Sequence, residues 1–392
     1  MEFRDTAEEA AFRTEVRSFI NAELPGELRD QNMMMEEGSQ DAGIKAWRKT
    51  MARKGWIAPH WPKEYGGAGM SVVEQFVFNE EMAEARAPQV GGMGVQMIGP
   101  VLIRFGTDEQ RAEHLPGITS GDVQWCQGYS EPGSGSDLAS LQTTAVRDGD
   151  DYVINGQKIW TSGAHRADWM FLLTRTDPGA PKHRGISMML MDMKSPGIQI
   201  QPLITMSGDH VFNQEYLDNV RVPAKNLIGE ENRGWYVGAA LLDFERSNIA
   251  NAIGIKHSVN DLVALLRDRV KTGVFAGDIR NAKAELAERA VEGQIARLIS
   301  YRLISIQRRG GVPNYEASMN KNFGAEVRQR LATTAMHVIG MYGGLYGKQP
   351  LAPRAGAVSH QYVSVVSSTI AAGTSEVNRN VIATRGLGLP RS

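Results

Sequence analysis

Cysteine is almost absent from this sequence: Cys126 is the only one among 392 residues. A single thiol excludes an internal disulfide and any cysteine-rich metal site. The motifs H-E-x-x-H, C-x-x-C and G-x-x-x-x-G-K-S/T are missing as well, and the eight histidines are scattered without a spaced metal pair. Cys126 stands in the run VQWCQ, which is typical of a strand, and a lone cysteine there is usually a small buried hydrophobe rather than a nucleophile.

Long apolar runs and a strong net charge are also missing. The formal net charge is −1, so no overall field favours nucleic acid or an anionic membrane surface. No run approaches the ~18 consecutive apolar residues of a membrane span. The N-terminus carries Glu2, Asp5, Glu8 and Glu9 in place of an apolar signal core. We therefore expect a cytoplasmic protein without a membrane span and without a nucleic-acid partner.

The spacing of apolar residues changes twice along the chain. Helical spacing comes first, short alternating runs such as DYVIN and WMFLLTR follow, and helical spacing returns after Gly234. The predicted fold class is α+β, mostly α. The predicted domains are an α-helical domain at 1–122, a small β-barrel or sandwich at 123–232, and a helical bundle at 233–392.

Two long helices are expected in the last domain. One covers 282–309, where no proline interrupts a broad apolar stripe, and the other covers Glu316–Ile339. The stripe of the first helix consists of Leu286, Ala290, Ile295, Leu298, Ile299, Arg302, Leu303 and Ile306.

The ten residues GYSEPGSGSD, at 128–137, are the most informative stretch. They follow the predicted strand and combine glycines, a proline and small hydroxyl residues. Such a loop has little side-chain bulk, so its backbone N–H groups and the hydroxyls of Ser130, Ser134 and Ser136 can approach a flat or anionic ligand. Taken alone, the same loop fits an ordinary turn equally well.

Three further segments accompany this loop: NGQKIWTSG at 155–163, LLDFERSN at 241–248 and AAGTSEVNRNVIATRGLGLP at 371–390. In this order and spacing the four segments resemble the acyl-CoA dehydrogenase family of flavoproteins, over nearly the whole chain. The resemblance implies a helical N-terminal domain, a central β domain and a C-terminal four-helix bundle. It also implies bound FAD, an acyl-CoA substrate, an electron-transferring flavoprotein as partner, and an oligomer built as a dimer of dimers.

The resemblance also implies roles for single residues. Trp160 would pack on the isoalloxazine ring, with Thr161 beside it and the hydroxyl of Ser162 at the ring edge. Gly135 and Ser136 would lie where the flavin loop meets the acyl-CoA. The remaining implied FAD contacts are Gln127, Tyr129, Ser130, Gly373, Thr374 and Glu376. By themselves, WTS also fits a core tryptophan beside a turn, and GTSE also fits a helix N-cap.

Two segments of the family pattern are only partly present. Members carry an Arg-x-Phe-Gly-like segment in the third domain, for which Arg269 in RDRVKTGVFAG is a poor match. Members also carry a Gln followed after three residues by a double Gly, and the register here gives His337, Gly340 and Met341. His337 and Gly340 are therefore the candidate contacts to a neighbouring subunit's FAD, with helix packing as the alternative for His337. A hetero-oligomer stays open beside a homodimer or homotetramer.

The catalytic base is assigned by a departure at residue 372. Removal of a Cα proton needs a base, and a carboxylate in a dry pocket has its pKa raised toward working pH. The commonest members place a Glu directly before the C-terminal Gly-Thr, where this chain has Ala372. Another branch places the Glu before an Arg on a helix of the last domain, which matches Glu245 and Arg246. Asp243 and Arg246 match CoA contacts, and the N–H of Ala372 matches a donor to the thioester carbonyl.

Several alternatives stay open at this stage. Glu245 also fits an exposed helix residue paired with an arginine. The whole chain also fits a flavin-dependent monooxygenase or oxidase on the same fold, or a partner subunit that supports the flavin of another chain. The acyl group is not readable, because one methylene discriminates by only ~1–3 kcal/mol. Fatty, branched, dicarboxylyl and steroid-derived thioesters are all compatible.

Overall fold

A computed structural model describes residues 4–29, 39–241, 249–275, 277–347 and 349–390. The helices are α1 (Ala7–Glu23), α2 (Ser39–Lys54), α3 (Val72–Glu84), α4 (Gly99–Phe105), α5 (Asp108–Thr119), α6 (Gly234–Leu241), α7 (Ile249–Lys271), α8 (Ile279–Arg308), α9 (Tyr315–Ile339), α10 (Ala357–Ser364) and α11 (Ser375–Val381). The strands are β1 (Trp125–Gly128), β2 (Thr144–Asp148), β3 (Asp151–Ser162), β4 (Trp169–Arg175), β5 (Ile186–Asp192), β6 (Ile198–Ile204), β7 (His210–Pro223) and β8 (Leu227–Ile228).

The predicted fold class is confirmed. In the described chain five α-helices precede β1, the eight strands follow, and α6 to α11 come after the last strand. The strands form one sheet of order β6-β7-β3-β2-β4-β5-β8, and β1 pairs with β4 in parallel. None of the helices in the described ranges has the length and apolar character that crossing a bilayer requires.

Short polar signals in the sequence define where the helices begin. Thr6 before α1 and Ser71 before α3 each accept a hydrogen bond from the N–H three residues on, and the glutamate at that position bonds back. These capping boxes satisfy N–H groups that have no partner inside the helix. Thr107 and Gln110 form the same arrangement before α5.

The chain divides into two compact units that combine non-consecutive segments. One unit contains Met1–Asp41, Ser71–Pro88 and Arg246–Ser392, and the other contains Ala42–Met70 and Gln89–Glu245. The predicted domain boundaries after residues 122 and 232 stay a prediction.

The core of the sheet-containing unit is a cluster of buried side chains that come mainly from the strands. Its buried residues include Ile154, Met170, Leu172 and Met189, and the whole run from Ile186 to Met191 is buried. Cys126 is 0% exposed in this core, as expected for a small hydrophobe. Burial raises the pKa of its thiol well above the usual range.

The other unit is built on α7, α8 and α9, with α1 and α3 packed in the same unit. The predicted long helices are confirmed as α8 and α9. The predicted stripe of α8 is only partly right: Leu286 and Leu303 are buried, but Ile295 and Leu298 are 40% and 48% exposed. The buried face also uses Ala296 and other small residues. Small residues allow helices to approach closely, and they carry little signal in an apolar-stripe analysis.

Candidate cofactor and substrate site

The loop that follows β1 lies alongside the tryptophan segment of β3. Ile159 N donates to Ser130 O at 2.9 Å, so the residue before Trp160 pairs directly with the loop. Ser130 and Gln127 are half-buried. The loop and the tryptophan segment, which the sequence predicted to share a ligand, are therefore neighbours in the same unit.

A buried ion pair anchors this loop. Lys158 is 0% exposed, and its Nζ donates to Glu131 Oε1 at 2.9 Å, to Leu173 O at 2.7 Å and to Tyr129 O at 3.2 Å. Glu131 also accepts from Gln142 N at 2.6 Å and from the next N–H along the chain at 2.9 Å. Burial by itself would raise the pKa of Glu131, but the Lys158 ammonium and these N–H groups lower it below its ordinary value.

The tip of the loop is open. Gly135 and Ser136 are exposed, and a Cβ added at Gly135 would meet nothing within 4 Å in the described part of the chain. The base of the loop is closed by the paired backbones of Glu131 and Ser134. The tip is therefore exposed, while its base is fixed.

Tyr129 carries a polar atom that the described residues leave unpaired. Its ring packs edge-on against Phe171 with centroids 5.8 Å apart. Its hydroxyl is buried, has the Gln127 side chain as a polar neighbour, and makes no hydrogen bond of good geometry among the residues that the structure describes. Burial raises the pKa of Tyr129 well above its usual range, so the hydroxyl is a neutral donor. An unpaired buried donor beside a small-residue loop fits a bound ligand that carries acceptors.

Trp160 is the extra residue of a β-bulge. The register of β3 against β7 pairs Ile159 with Gln214 and Thr161 with Asn213, which leaves Trp160 without a partner. Its φ is 62°, in the left-handed region that a bulky residue rarely adopts. The residue is 59% exposed, which rules out the alternative of a core tryptophan. The bulge thus presents an indole face at the surface of this unit.

The two hydroxyl residues after Trp160 differ in environment. Thr161 is 1% exposed, and its Oγ1 donates to Glu215 Oε2 at 2.5 Å. Ser162 is half-buried. Ser162 is therefore the more accessible of the two hydroxyl residues, whereas Thr161 faces the interior of the sheet.

In the other unit, the C-terminal tail contains two consecutive left-handed residues. The φ angles of Ala372 and Gly373 are 53° and 85°. Gly373 O accepts from Asn378 Nδ2 at 2.9 Å and also from the ammonium of Lys321. Thr374 Oγ1 accepts from Val377 N at 3.2 Å, so the N-cap interpretation of this segment is correct. The turn is held from both sides while its N–H groups remain at the surface.

His337 lies in a groove together with two of the tail residues. The groove runs between α8, α9 and α11, and its lining includes His337, Thr374 and Glu376. His337 is 57% exposed at its side chain, and its Nδ1 lies 3.0 Å from Glu285 Oε2. Gly340 ends α9 with a φ of 59°. The groove thus brings together three positions for which the sequence implied a cofactor contact.

Arg269 is not available as a surface contact. It is 8% exposed, donates to Ile339 O at 3.1 Å and lies over the ring of Tyr342 at 4.8 Å. Its role is therefore packing at the end of α9. The candidate base Glu245 and the candidate CoA contacts Asp243 and Arg246 lie outside the described residues.

The sequence analysis missed the buried polar residues behind the loop. Lys158, Asn213 and Glu215 are each 0% exposed. A signal was available: Lys158 stands in phase with Tyr152 and Ile154 on the inward face of an alternating strand. A charged residue at an inward position predicts a buried partner.

The chain matches sequence models of three domains of one family. These are the acyl-CoA dehydrogenase N-terminal domain at residues 6–122, the middle domain at 126–220 and the C-terminal domain at 232–387. The chain therefore belongs to the acyl-CoA dehydrogenase family, and it is an oxidoreductase of that family.

Characterised relatives and solved structures match over almost the full length. The acyl-CoA dehydrogenase FadE26 of Mycobacterium tuberculosis is 37% identical, with 99% of this chain and 98% of the relative covered. A solved structure described as the Tcur3481-Tcur3483 steroid ACAD has a TM-score of 0.86 at 35% identity, with 100% of both chains covered. The ChsE4-ChsE5 complex from Mycobacterium tuberculosis has a TM-score of 0.84 at 36% identity, again over 100% of both chains.

Proposed function

We propose that this chain binds FAD and oxidises an acyl-CoA to its 2-enoyl form, with Glu245 as the base. The observation that carries the proposal is the bulge at Trp160, which exposes an indole face beside the loop of Ser130. A strained backbone at an exposed aromatic residue costs about 1–3 kcal/mol, which folding alone does not require. An aromatic face beside hydroxyl and N–H donors suits a flavin ring.

The residues present fit FAD. The unpaired hydroxyl of Tyr129 offers a neutral donor, and Ser130 and Ser162 offer half-buried hydroxyls. Gln127 supplies an amide next to them, and the exposed tip of Gly135 and Ser136 has room for a neighbouring acyl-CoA. Thr161 is proposed to act through the backbone it fixes. When bound, FAD supplies a two-electron acceptor for the hydride that leaves Cβ.

The C-terminal positions are proposed to complete the cofactor and substrate contacts. Thr374 and Glu376 share a groove with His337, and Gly373 and Gly340 have the left-handed backbone that allows close approach. The lowered pKa of Glu376, caused by its own backbone N–H and by the Thr374 hydroxyl, keeps this carboxylate charged. An ionised carboxylate accepts from ribose hydroxyls but repels phosphate.

Glu245 is proposed as the base because residue 372 has no side chain that accepts a proton. The carboxylate of Glu245 would take the Cα proton, and the Ala372 N–H would donate to the thioester carbonyl, which makes that proton more acidic. The left-handed backbone at Ala372 and Gly373, fixed by Lys321 and Asn378, supports a preorganised donor there. Asp243 and Arg246 would contact the CoA.

The relatives support a proposal for the substrate class and the assembly. Two structures that align over the whole chain are described by paired subunit names, and one of them as a steroid ACAD. We infer that this chain acts on a bulky, steroid-derived acyl-CoA and pairs with a related but different subunit. The contact of His337 Nδ1 with Glu285 supports the second point, because it occupies a side chain that the resemblance implies for a neighbouring FAD. Electrons would pass to an electron-transferring flavoprotein, and the site of action would be the cytoplasm.

Anaerobic bleaching of the flavin absorbance by a panel of acyl-CoAs tests the proposal. The panel contains fatty, branched, dicarboxylyl and steroid-derived thioesters, and the proteins are wild type, Glu245→Gln and the exposed-glutamate control Glu230→Gln. We expect bleaching by the steroid-derived thioester in wild type and Glu230→Gln, and a loss of at least about a hundredfold in rate in Glu245→Gln with flavin still bound. Bound flavin that no thioester bleaches would favour the oxygen-using alternative. A protein that purifies without flavin would favour the partner-subunit alternative.

A further inference from the structure

A buried carboxyl group lies behind the tryptophan bulge, and the proposed reaction does not use it. Glu215 of β7 is 0% exposed and stands opposite Lys158 in the register with β3. The Lys158 ammonium already donates to three oxygens at 3.2 Å or less, and it has three hydrogens to give. The ammonium opposite Glu215 in the register is therefore committed to Glu131 and two carbonyls.

Glu215 acts on the bulge through one hydrogen bond. Thr161 Oγ1 lies 2.5 Å from Glu215 Oε2, and Asn213 Nδ2 donates to Thr161 O at 3.0 Å. Thr161 is thus held at both its side chain and its backbone. Because it directly follows Trp160, these two bonds fix the point at which the strand returns to register. The strained φ of Trp160 depends on such support from its surroundings.

The other oxygen of Glu215 has no such bond. Glu215 Oε1 is buried and finds no hydrogen-bond partner in the described ranges of the chain. A buried carboxylate with one bond is costly, whereas a carboxylic acid at the same place is not. Burial raises the pKa of Glu215 to about 7, and the Thr161 hydrogen bond, the backbone N–H of Glu215 and the Lys158 charge only partly oppose this.

Among the residues that the structure describes, Lys158 is the one whose charge lowers the pKa of Glu215. The thiol of Cys126 on β1 has its own pKa raised, first by burial and then by Glu215. The sequence of β6, which also pairs with β7, contains no titratable residue. The ring nitrogens His165 Nδ1 and His210 Nε2 lie 3.2 Å and 2.8 Å from Asn213 Oδ1.

We propose that Glu215 is a positioning residue which, in its protonated form, holds Thr161 and so keeps the Trp160 bulge in the shape that binds the flavin. Loss of this proton places an unpaired negative charge beneath the bulge, where water or a rearrangement must solvate it. Flavin affinity therefore falls as the pH rises through the neutral range. The inference rests on the proposed function, since it takes FAD as the ligand of the bulge.

The test measures FAD affinity as a function of pH by flavin fluorescence. The full-length proteins are wild type, Glu215→Gln, which keeps a neutral side chain of the same shape, and Asp218→Asn, an exposed acid on the same strand. In wild type and Asp218→Asn the affinity should fall by up to about tenfold per pH unit above the ionisation of Glu215. In Glu215→Gln it should be independent of pH. A pH-independent wild type, or a Glu215→Gln protein that keeps the wild-type profile, overturns the inference.

A second measurement follows the environment of Trp160 in the bulge without FAD. The tryptophan emission of wild type minus that of Trp160→Phe should change with pH over the same window, and the Glu215→Gln background should remove this change. If Glu215→Gln does not fold, the inference is tested with the pair Thr161→Ser and Thr161→Val instead. Thr161→Ser keeps the hydroxyl and should keep the pH dependence of FAD binding, whereas Thr161→Val should lose it; identical profiles contradict the inference. Failure to bind FAD at every pH contradicts the proposed function itself, whereas binding that ignores residues 161 and 215 contradicts only this inference.

Discussion

At the scale of single residues, the site depends on polar groups that never reach the surface. Lys158 and Glu131 tie the loop after β1 to β3, and Glu215 and Asn213 tie the residue after Trp160 to β7. None of these four is proposed to contact a ligand. They fix the groups that do, because a bulge and a loop have few backbone hydrogen bonds of their own.

Removal of the Lys158 ammonium should destabilise the protein strongly. In Lys158→Met, Glu131 keeps its buried charge without its cation, a change that typically costs about 3–5 kcal/mol. The control is Lys182→Met, which breaks the exposed pair with Asp137 and should cost less than about 1 kcal/mol. Urea unfolding measures the free energy of unfolding of both variants. Equal losses of unfolding free energy in the two variants would show that the buried pair contributes no more to stability than the exposed pair.

The buried carboxyl group also predicts the sign of a pH effect on stability. The pKa of Glu215 is higher in the folded than in the unfolded protein, so its contribution to stability is complete below the unfolded value and is lost as the pH rises through about 7. The loss is about 1.4 kcal/mol per pH unit across that window. Glu215→Gln should therefore gain thermal stability over wild type at about pH 8 and not at about pH 4. A difference in melting temperature that does not vary with pH would contradict this assignment.

At the scale of elements, close packing sets where helices and loops can lie. Trp61, in the loop WPKEYGGAG, is 1% exposed, and its Nε1 donates to Val95 O at 3.0 Å. Its ring lies so close to Gly99, the first residue of α4, that an added Cβ would sit 1.8 Å from a ring carbon. The loop therefore has a structural role: it inserts an aromatic wedge against the start of a helix.

Substitution of Gly99 by alanine should destabilise this unit. The ring of Trp61 cannot move without losing its hydrogen bond, and overpacking of this kind typically costs about 1–3 kcal/mol. The matched control is Gly254→Ala within α7, where an added Cβ meets no described atom within 4 Å. That change should be neutral or stabilise by up to about 1 kcal/mol. Thermal unfolding of both variants makes the comparison, and an undisturbed Gly99→Ala protein would refute the packing argument.

The same scale shows what the sequence could and could not predict about the elements. The order of helices, strands and helices followed from apolar spacing, because spacing reports local burial. The register of β3 did not, because the bulge at Trp160 moves Thr161 inward and leaves Ser162 half-buried. A one-residue shift is a property of two paired strands. The exposed positions of Ile295 and Leu298 were also missed, because both faces of α8 carry apolar residues.

At the scale of the whole molecule, the exposed apolar residues of α8 bear on assembly. Val291, Ile295 and Leu298 are spaced for one helix face and are 60%, 40% and 48% exposed. Contiguous exposed apolar side chains are typical of protein–protein contacts. We therefore expect this face to meet another subunit.

A charge on this face should therefore disrupt the oligomer. Leu298→Glu is expected to shift the protein to a smaller species in sedimentation velocity, whereas the exposed polar change Glu288→Gln on the same helix should not. The circular dichroism of both variants should match wild type, because residue 298 is outside the core of its unit. A wild type that sediments as a monomer, or a Leu298→Glu protein of unchanged size, would contradict the assignment of this face.

The sequence by itself determined the family, the fold class and the surface-facing candidates of the site. Those features depend on local spacing and on motifs, such as the small-residue loop and Ala372 before Gly-Thr. Both can be recognised from the order of residues alone. The tertiary structure alone decided which polar groups support them. Lys158, Glu131, Glu215 and Asn213 come from strands and loops distant in the chain, and each gains its role only from the partner that burial gives it. Burial makes an unpaired charge costly, and that cost depends on every neighbouring element at once.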